Sequence, residues 1–573
     1  MNRAPVSPPA STRPRAGGRR ALLALAFSFS LSACSLSQNG VEPPADTFFY
    51  PTAGTMSPLD TAGDWLYVAN SNADLRFNDG TLVMLNVGDH QIDDPAITTT
   101  GGVLYGAAAD RANTSWGACP QEDYVNPLPR SDAPSCCRDL LDANIINCDE
   151  RRYVAADATV LIGSFSASMV WQTYCDDGCL GGDKASCQAD PNGGRLFIGV
   201  RGDTSLTDVD VAPADWQGNG SPHPGFHCTD DPGIASSLTE CTHKVIENPN
   251  NLDAFMNPNG ATPPPVPLPD EPYALALDDP HGFLYIGHLV GNTSVQASGG
   301  VSLIDVSGAG LVSGFPLLPK FVAPFASPFP PNPSGFFGIT ALALHEPLGA
   351  PPSMPMPPAL PNKEIFVSSR YLPLVTSMVP IGQSQCSGSD NDDVVLPSSD
   401  NLNSGLVGSE MRGLAFIDPT PGTPSELDYA NRVYALQRVP PALVGFDVAQ
   451  NESFAFIPTP TSVTETCSSP TFLYQYPPSV NGVNVASPDN PLRLFVNCFD
   501  TGEVYVFDPT GPTLVTTLMV GRGPAGMIFD QTRPIAYVIS FTQNDVSVVD
   551  LKPGSPTQYH VVQRLGFPTV TPR

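Results

Sequence analysis

An all-β fold built from repeated hairpins is the fold class that this sequence predicts, and three observations predict it. The 573 residues include 64 prolines and 50 glycines, which favours many turns over long helices. No long stretch places apolar residues at helical spacing. Two β-prone segments around a polar turn recur seven times, least interrupted at 536–551.

Each copy of this repeat carries an aromatic residue at the same position of its first strand. In chain order these residues are Tyr67, Phe197, Tyr285, Phe366, Tyr434, Phe495 and Tyr537. The second strand closes on Asp or Asn in six copies, namely Asn86, Asp210, Asp305, Asp447, Asp508 and Asp550. The fourth copy departs from this pattern, with Pro380 near that point. The common phase of the copies indicates one repeated unit rather than unrelated hairpins.

A further short apolar strand precedes several copies, at 272–278, 412–418 and 524–530. Its small residues suit the crowded innermost strand of a blade. The last two aromatics, Phe495 and Tyr537, are 42 residues apart, close to the roughly 40–45 residues of a four-stranded propeller blade. Earlier intervals are longer, which predicts loop insertions at about 112–192 and 213–270. Inside the first insertion, 159–171 is predicted to be a strand of the main fold.

The repeats resemble the YVTN family of β-propeller repeats, found in YncE-like and lactonase-like seven-bladed proteins. The match is best in the seventh copy, at 537–550, and weaker in the sixth, third and first. The resemblance implies a seven-bladed β-propeller over 61–573, with long disulfide-rich loop insertions. It implies little about activity, because propellers carry many functions.

The N-terminus reads as an export signal. Arg13, Arg15, Arg19 and Arg20 precede an apolar run, 21–33, that is too short to span a bilayer. Leu31-Ser32-Ala33-Cys34 resembles the bacterial lipobox. We therefore expect a signal peptide at 1–33, lipidation of Cys34 and a flexible tether over 34–60. The expected location is the bacterial cell envelope, at the outer membrane, with the lipid as the only membrane attachment; a plain secretory signal is the alternative.

The formal net charge is −29, from 27 basic and 56 acidic side chains. So acidic a surface repels phosphate backbones, which sets nucleic acid aside as a partner. A monomer is expected.

Thirteen cysteines are present, and twelve remain once Cys34 is assigned to lipid. An even number in an exported chain predicts disulfides, although the pairing does not follow from the sequence. The twelve are Cys119, Cys136, Cys137, Cys148, Cys175, Cys179, Cys187, Cys228, Cys241, Cys386, Cys467 and Cys498. The adjacent Cys136 and Cys137 are expected to join two separate structural bonds.

Metal-ligand types occur at three places, and for each a structural role is preferred. A disulfide between Cys228 and Cys241, with exposed histidines nearby, is favoured over a zinc site. The turns at 175–179 and 390–393 have oxygen ligands suited to Ca²⁺ but lack the spacing of a calcium loop. We therefore expect no cofactor and no metal, with Ca²⁺ as the alternative at these turns.

Catalytic motifs for c-type haem attachment, serine hydrolases, zinc peptidases and phosphate-cradling loops are missing from the sequence. Blade geometry instead gathers polar residues on one face, because the loop before the innermost strand and the turn after the second strand lie at the same end. That face collects Arg201, Asp203, His288, Arg370, Glu410, Arg412, Arg438, Asp500 and Arg522. Arginines at a funnel mouth suit a carboxylate or phosphate, although each could simply neutralise an acidic neighbour.

The leading expectation is a non-catalytic binding or scaffold lipoprotein of the cell envelope. Its partner would be an envelope protein or an anionic small molecule, bound by Arg201, Arg370, Arg412, Arg438 and Arg522 or by the cysteine-rich insertion. The alternative is a lactonase-like hydrolase or a propeller-type periplasmic oxidoreductase. The family resemblance then implies Glu410 as base and Arg412 or Arg370 polarising a carbonyl, with His288 as a weaker candidate.

Overall fold

The chain has two units, Met1–Glu42 and Pro43–Arg573. The computed structural model describes residues 41–57, 65–88, 117–120, 136–173, 194–202, 205–212, 223–228, 238–241, 271–278, 283–289, 301–305, 319–321, 338–345, 364–370, 374–381, 394–403, 409–417, 432–447, 459–478, 486–487 and 490–567. Cys34, Asp203 and the turns at 175–179 and 390–393 lie outside these ranges. No helix within them is long and apolar enough to cross a membrane.

Strands in this part of the chain form seven sheets. The first sheet consists of β1 (Pro51–Met56), β2 (Trp65–Asn70), β3 (Gly80–Asn86), β6 (Val160–Ile162) and β11 (Thr239–Glu240). The second consists of β7 (Ser166–Thr173), β8 (Gly194–Val200), β9 (Ser205–Ala212) and β10 (Gly225–His227). The third consists of β12 (Pro272–Asp278), β13 (Phe283–His288), β14 (Val301–Asp305) and β15 (Pro319–Phe321).

Four further sheets follow along the chain. The fourth consists of β16 (Ile339–His345), β17 (Glu364–Ser369), β18 (Leu374–Ile381) and β19 (Val394–Asn403). The fifth consists of β20 (Ser409–Ile417), β21 (Arg432–Val439), β22 (Ala442–Asp447) and β23 (Thr459–Glu465). The sixth consists of β24 (Pro470–Tyr476), β25 (Arg493–Cys498), β26 (Glu503–Asp508) and β27 (Thr513–Met519). The seventh consists of β28 (Pro524–Phe529), β29 (Ile535–Ser540), β30 (Asp545–Asp550), β31 (His560–Leu565), β5 (Ile146–Cys148) and β4 (Cys136–Arg138). Short 3₁₀ helices span Glu150–Arg152 and Ala156–Ala158.

The first strand of each sheet lies beside the first strand of the next, and the series closes on itself. Contacts run β1–β7–β12–β16–β20–β24–β28 and back to β1. The sheets therefore surround one axis, with the innermost strands as the inner wall. The fold is a β-propeller. The predicted innermost segments near 272–278, 412–418 and 524–530 correspond to β12, β20 and β28.

Six of these sheets contain four antiparallel strands that are consecutive in the chain, as a regular blade requires. The first sheet differs, because its fourth strand, β6, follows the insertion that carries β4 and β5. The prediction of seven regular blades is corrected accordingly: the structure has six regular blades and one sheet of mixed origin.

The repeated aromatic is buried in every copy. Tyr67, Phe197, Phe366, Tyr434, Phe495 and Tyr537 are fully buried, and Tyr285 is 1% exposed. Tyr537 packs with Leu66 and Val83 of the first sheet in one apolar cluster, so it joins neighbouring sheets. An aromatic ring buries about 150–250 Å² on folding, which explains why this position keeps its character when the rest of the repeat varies.

The predicted tether and insertions contain strands of the main fold. β1 lies inside the predicted tether, 34–60, and pairs antiparallel with β2. The predicted insertion at 112–192 contains β6 and β7, and the one at 213–270 contains β10 and β11. β6 and most of β7 lie in the segment 159–171, which was predicted to be a strand of the main fold. β1, β10 and β11 were missed because they are two to six residues long and lie apart from the aromatic that marks each repeat.

Two disulfides hold the β4–β5 hairpin, and this hairpin covers the outer edge of the seventh sheet. Cys119 bonds to Cys137 and Cys136 bonds to Cys148, which confirms that the adjacent cysteines join separate bonds. β5 pairs parallel with β31, and β4 pairs with β5. Part of the insertion therefore pairs with the edge strand of its own propeller.

The Cys228–Cys241 disulfide is confirmed, and it joins two sheets. Cys228 follows β10 of the second sheet, whereas Cys241 follows β11, which pairs parallel with β6 of the first sheet. A fourth disulfide, Cys467–Cys498, links the turn before β24 to the end of β25. The prediction of disulfide bonds is confirmed for these eight cysteines.

A buried charge cluster lies where the insertion meets the seventh sheet. Arg564 of β31 is 3.0 Å from the Asp139 carboxylate and 3.9 Å from that of Asp545. Burial raises the pKa of Asp545 from its ordinary 3.8 to about 6, although Arg564 opposes this. The folded chain therefore holds a proton on Asp545 between about pH 4 and 6 that the unfolded chain releases, so stability falls as pH rises through this window.

The Asp545→Asn variant should be more stable than the natural chain at pH 7.5, because it removes the need to bury a carboxylate. A shift of about two pKa units corresponds to roughly 3 kcal/mol, so we expect a gain of about 1–3 kcal/mol. The gain should largely vanish at pH 3, where Asp545 is mostly protonated in both states. Urea unfolding at both pH values measures it; an equal gain at both would contradict a burial effect.

Candidate functional site

A recurring backbone turn shapes one end of the ring, here called the mouth, at which the innermost strands begin. The residue before the regular part of the strand has positive φ in six of the seven cases that the structure describes: Tyr50, Phe165, Glu271, Glu410, Ser469 and Gly523. A left-handed backbone conformation is unfavourable for residues other than glycine. Five copies nevertheless carry a side chain here, and in Glu271 and Glu410 it is a carboxylate.

A backbone hydrogen bond ties this turn to the second strand of the same sheet. In six sheets, the N–H four residues after the repeated aromatic donates to the carbonyl just before the innermost strand. The donors are Ser71, Arg201, Leu289, Arg370, Phe499 and Phe541. Arg438 occupies the same repeat position in the fifth sheet. Three arginines, Arg201, Arg370 and Arg438, therefore share one place in the fold, beside the mouth.

Three guanidinium groups converge on the single carboxylate of Glu410. Arg438 Nη1 donates to Glu410 Oε2 at 3.3 Å, Arg412 Nη2 lies 3.5 Å from the same oxygen, and Arg370 Nε lies 4.0 Å from Oε1. These four residues are called the arginine cluster below. One carboxylate faces three positive charges, so the cluster is cationic within a strongly acidic chain.

Two more polar residues of the sixth sheet adjoin the cluster. Arg438 Nη2 donates to Ser469 Oγ at 3.5 Å, and Ser469 Oγ donates to Asp500 Oδ2. The Cys467–Cys498 disulfide fixes this turn two residues from Ser469 and two from Asp500. The edge of the cluster is thus held by a covalent bond.

An axial cavity of about 230 Å³ is lined by three successive residues from each innermost strand. Each of these strands has a β-bulge close to its start. At or beside the bulge, the lining residues are Thr52, Ala167, Tyr273, Thr340, Arg412 and Ala525. Bulges redirect side chains next to functional sites, and here one of them brings Arg412 from the cluster to the cavity wall.

The two deeper layers of the cavity differ in character. The middle layer consists of residues with small side chains, apart from the ring of Phe472. Its other members are Ala53, Ser168, Ala274, Ala341, Gly413 and Gly526. The deepest layer is mainly apolar: Gly54, Met169, Leu275, Leu342, Leu414, Leu473 and Met527, with Tyr474 adjoining. Two residues along a strand span roughly 7 Å. The wall therefore changes from polar and cationic to apolar over about that depth.

Arg412 is poorly satisfied for so buried a cation. Its side chain is 11% exposed, and Glu410 is the acidic group that it meets among the described residues. Its Nε is buried and has no hydrogen-bond partner among the residues that the structure describes. A guanidinium carries five N–H donors, and unsatisfied buried donors are costly. An anion at the cavity opening would supply acceptors for them.

The structure separates the predicted site residues into groups. Arg370, Glu410, Arg412 and Arg438 come together as the arginine cluster. Arg201 lies elsewhere on the mouth, 2.9 Å from Glu271 and with its guanidinium 5.7 Å from the Tyr273 ring centre, so it forms a one-to-one pair.

Two predicted residues are not part of the cluster. Arg522 is exposed before β28, with its backbone N–H bonded to Gln543, and it is not an ion-pair partner of Glu410. The prediction that His288 lies open at the mouth is corrected. His288 is the last residue of β13 and is fully buried against β14, with its Nε2 2.8 Å from Ser302 Oγ. This burial favours a structural role for His288 over the predicted catalytic one.

Some site residues carry no sequence signal. The cavity rings Tyr273, Phe472 and Tyr474 look like ordinary strand aromatics, and Ser469 looks like a turn residue. Burial raises the pKa of Tyr474, whose hydroxyl interacts with the Met527 backbone N–H. The available clue was position: the three rings lie two to five residues after a positive-φ residue at the mouth, and Ser469 is itself such a residue. Among the described residues, no group of three or more His, Cys, Asp or Glu side chains is arranged to hold a metal ion.

Comparison with known proteins gives a likeness in fold. No family model matches the chain, and no curated protein matches it. One similar solved structure is a putative 6-phosphogluconolactonase from Bacteroides fragilis, 10% identical, with 83% of this chain and 86% of that one covered and a TM-score of 0.39. The β-propeller domain of Cps50 (Swd1) from Myceliophteria thermophila is 8% identical, with coverage of 87% and 96% and a TM-score of 0.39. The periplasmic gluconolactonase of Pseudomonas aeruginosa is 13% identical, with coverage of 70% and 96% and a TM-score of 0.38. At such scores these likenesses carry no argument about function.

Replacing Glu410 with Gln should destabilise the chain more than replacing Glu271 with Gln. Glu410→Gln leaves three guanidiniums without their shared counter-charge, whereas Glu271→Gln breaks one half-exposed pair. We expect a loss of about 1–2 kcal/mol for the first and under about 1 kcal/mol for the second.

Urea unfolding in 0.05 M and 1 M NaCl provides the measurement for this pair of variants. Salt at 1 M shortens the screening length to about 3 Å, so the difference between the variants should shrink. Equal losses at both salt concentrations would show that the three arginines do not act as one charged group.

Proposed function

We propose that this chain is a binding protein whose propeller mouth captures an anionic group, a carboxylate or a phosphate, on Arg412 and Arg438. The observation that carries the proposal is the convergence of three guanidiniums on one carboxylate at the opening of the axial cavity. Arginine donors fit the planar or tetrahedral oxygens of such anions. A bound anion would accept a hydrogen bond from the buried Nε of Arg412 and so offset the cost of leaving that donor unsatisfied.

The setting of this site is part of the same proposal. The first sheet supplies the seventh blade, since β1 completes the ring of innermost strands, and the repeats are of the YVTN type. The chain is exported and carries lipid on Cys34, as its N-terminal signal suggests, and disulfides are typical of oxidising compartments. Incorporation of labelled fatty acid, lost in Cys34→Ala, tests the anchor.

Binding is favoured over hydrolysis by what surrounds Glu410. A general base must reach the proton that it removes, yet the Glu410 carboxylate is engaged by arginines on both oxygens. No histidine of the described residues adjoins it. The two functions predict different effects of Glu410→Gln. If the chain is a hydrolase, the substitution abolishes lactone hydrolysis. If it is a binding protein, removing the negative charge tightens anion binding.

Arg412→Ala and Arg438→Ala should each weaken binding of acetate and inorganic phosphate about ten- to a hundredfold. Hydrogen bonds to charged groups contribute about 1.5–3 kcal/mol, and 1.4 kcal/mol is tenfold in affinity. Arg201→Ala is the matched control, because it removes an arginine at the same repeat position as Arg438 but outside the cluster. Calorimetric titration of the four proteins measures this.

Two outcomes would count against the site. If Arg201→Ala weakens binding as much as Arg412→Ala, the anion responds to general charge rather than to the cluster. If the natural chain hydrolyses a lactone and Glu410→Gln abolishes the reaction, the chain is an enzyme and the binding proposal is wrong.

A further inference from the structure

The arginine cluster and the axial cavity share one residue. Arg412 contacts Glu410 in the cluster and also lines the cavity. A ligand whose charged group meets Arg412 therefore has its remaining atoms either outside the mouth or within the cavity. The character of the cavity wall decides which of these is favourable.

The wall beyond Arg412 suits an apolar group. The middle layer is small, which leaves room at the axis, and the deepest layer is dominated by leucine and methionine side chains, including Met169, Leu342 and Met527. Phe472 and Tyr474 add two rings whose centres are 6.3 Å apart. Apolar walls with a few convergent polar groups are typical of small-molecule sites.

The cavity size limits what can enter. Pockets for drug-sized ligands measure about 300–1,000 Å³, and this cavity has about 230 Å³. It therefore holds a short chain or a single ring rather than a large molecule. A peptide or protein segment could present one such side chain, but its backbone would stay outside the mouth.

The charge of the head group is limited by its acidic neighbours. Glu410 and Asp500 both adjoin the arginines, Asp500 through Ser469. The three guanidiniums and these two carboxylates together carry a net charge of about +1. A singly charged carboxylate balances this charge, whereas a doubly charged phosphate exceeds it and costs more to desolvate. The arrangement thus favours a monoanion.

We propose that the ligand is a small amphiphilic monocarboxylate, with its carboxylate on Arg412 and Arg438 and its apolar tail in the axial cavity. This inference rests on the proposed anion site and adds the ligand's chemical class. It also gives the small middle layer a role, because larger side chains there would leave no room for the tail.

A series of straight-chain carboxylates tests the inference on the natural, full-length chain by calorimetric titration. From acetate through butyrate to hexanoate, affinity should rise about fourfold for each methylene buried, and it should level off once the tail exceeds the cavity. Hexan-1-ol is the matched probe without a charge, and it should bind far more weakly than hexanoate. Inorganic phosphate should bind more weakly than hexanoate.

Variants separate the head from the tail. Arg412→Ala should weaken all carboxylates by a similar factor. Ala341→Leu, which enlarges a side chain of the small middle layer, should flatten the chain-length series, so that hexanoate binds no more tightly than acetate. Ala341 is partly exposed, and the carboxylate series on the natural chain tests the inference without any variant.

The outcomes distinguish the two proposals. A flat chain-length series with anion binding still lost in Arg412→Ala overturns the amphiphile and leaves the anion site in place. Phosphate binding more tightly than hexanoate likewise overturns the amphiphile. If Arg412→Ala leaves the affinity for every carboxylate unchanged, the anion site is wrong and this inference falls with it.

Discussion

Close approach of seven innermost strands around one axis is the constraint on which the rest of the structure depends. The strands meet with almost no space for side chains at certain points: a Cβ on Gly413 would lie 2.7 Å from the Leu473 backbone nitrogen. A Cβ on Gly526 of β28 would lie 3.4 Å from the carbonyl oxygen of Thr52 in β1. Small residues therefore occupy the middle layer, and the space that they leave along the axis becomes the cavity.

The same constraint explains the charged mouth. Each strand must turn sharply before it descends along the axis, and the repeated backbone hydrogen bond fixes that turn against the second strand. The residues at these two positions therefore lie at one end of the ring. At the corresponding positions of the fourth and fifth sheets they include Arg370, Arg438 and Glu410, so an otherwise acidic chain acquires a cationic point at the end of an apolar cavity. Function, in this account, comes from substitutions at positions that the scaffold already places.

Much of the fold follows from the sequence, because the repeated aromatic is buried between sheets and therefore keeps its character. The grouping of Glu410 with Arg370 and Arg412 also followed from strand alternation alone. Other features did not. β1 was missed because a short strand with small residues resembles a loop. The burial of His288 was missed because one residue of register decides between surface and core. The cavity rings depend on bulges, which no residue pattern marks.

The central claim is that the arginine cluster is the anion site of this chain. A crystal soaked in bromide, measured at the bromine absorption edge, locates bound anions directly and independently of their affinity for any organic ligand. We expect the strongest anomalous peak against the guanidinium nitrogens of Arg412 and Arg438, at the opening of the axial cavity. Strong peaks at Arg201 or Arg522 with none at the cluster would contradict the claim.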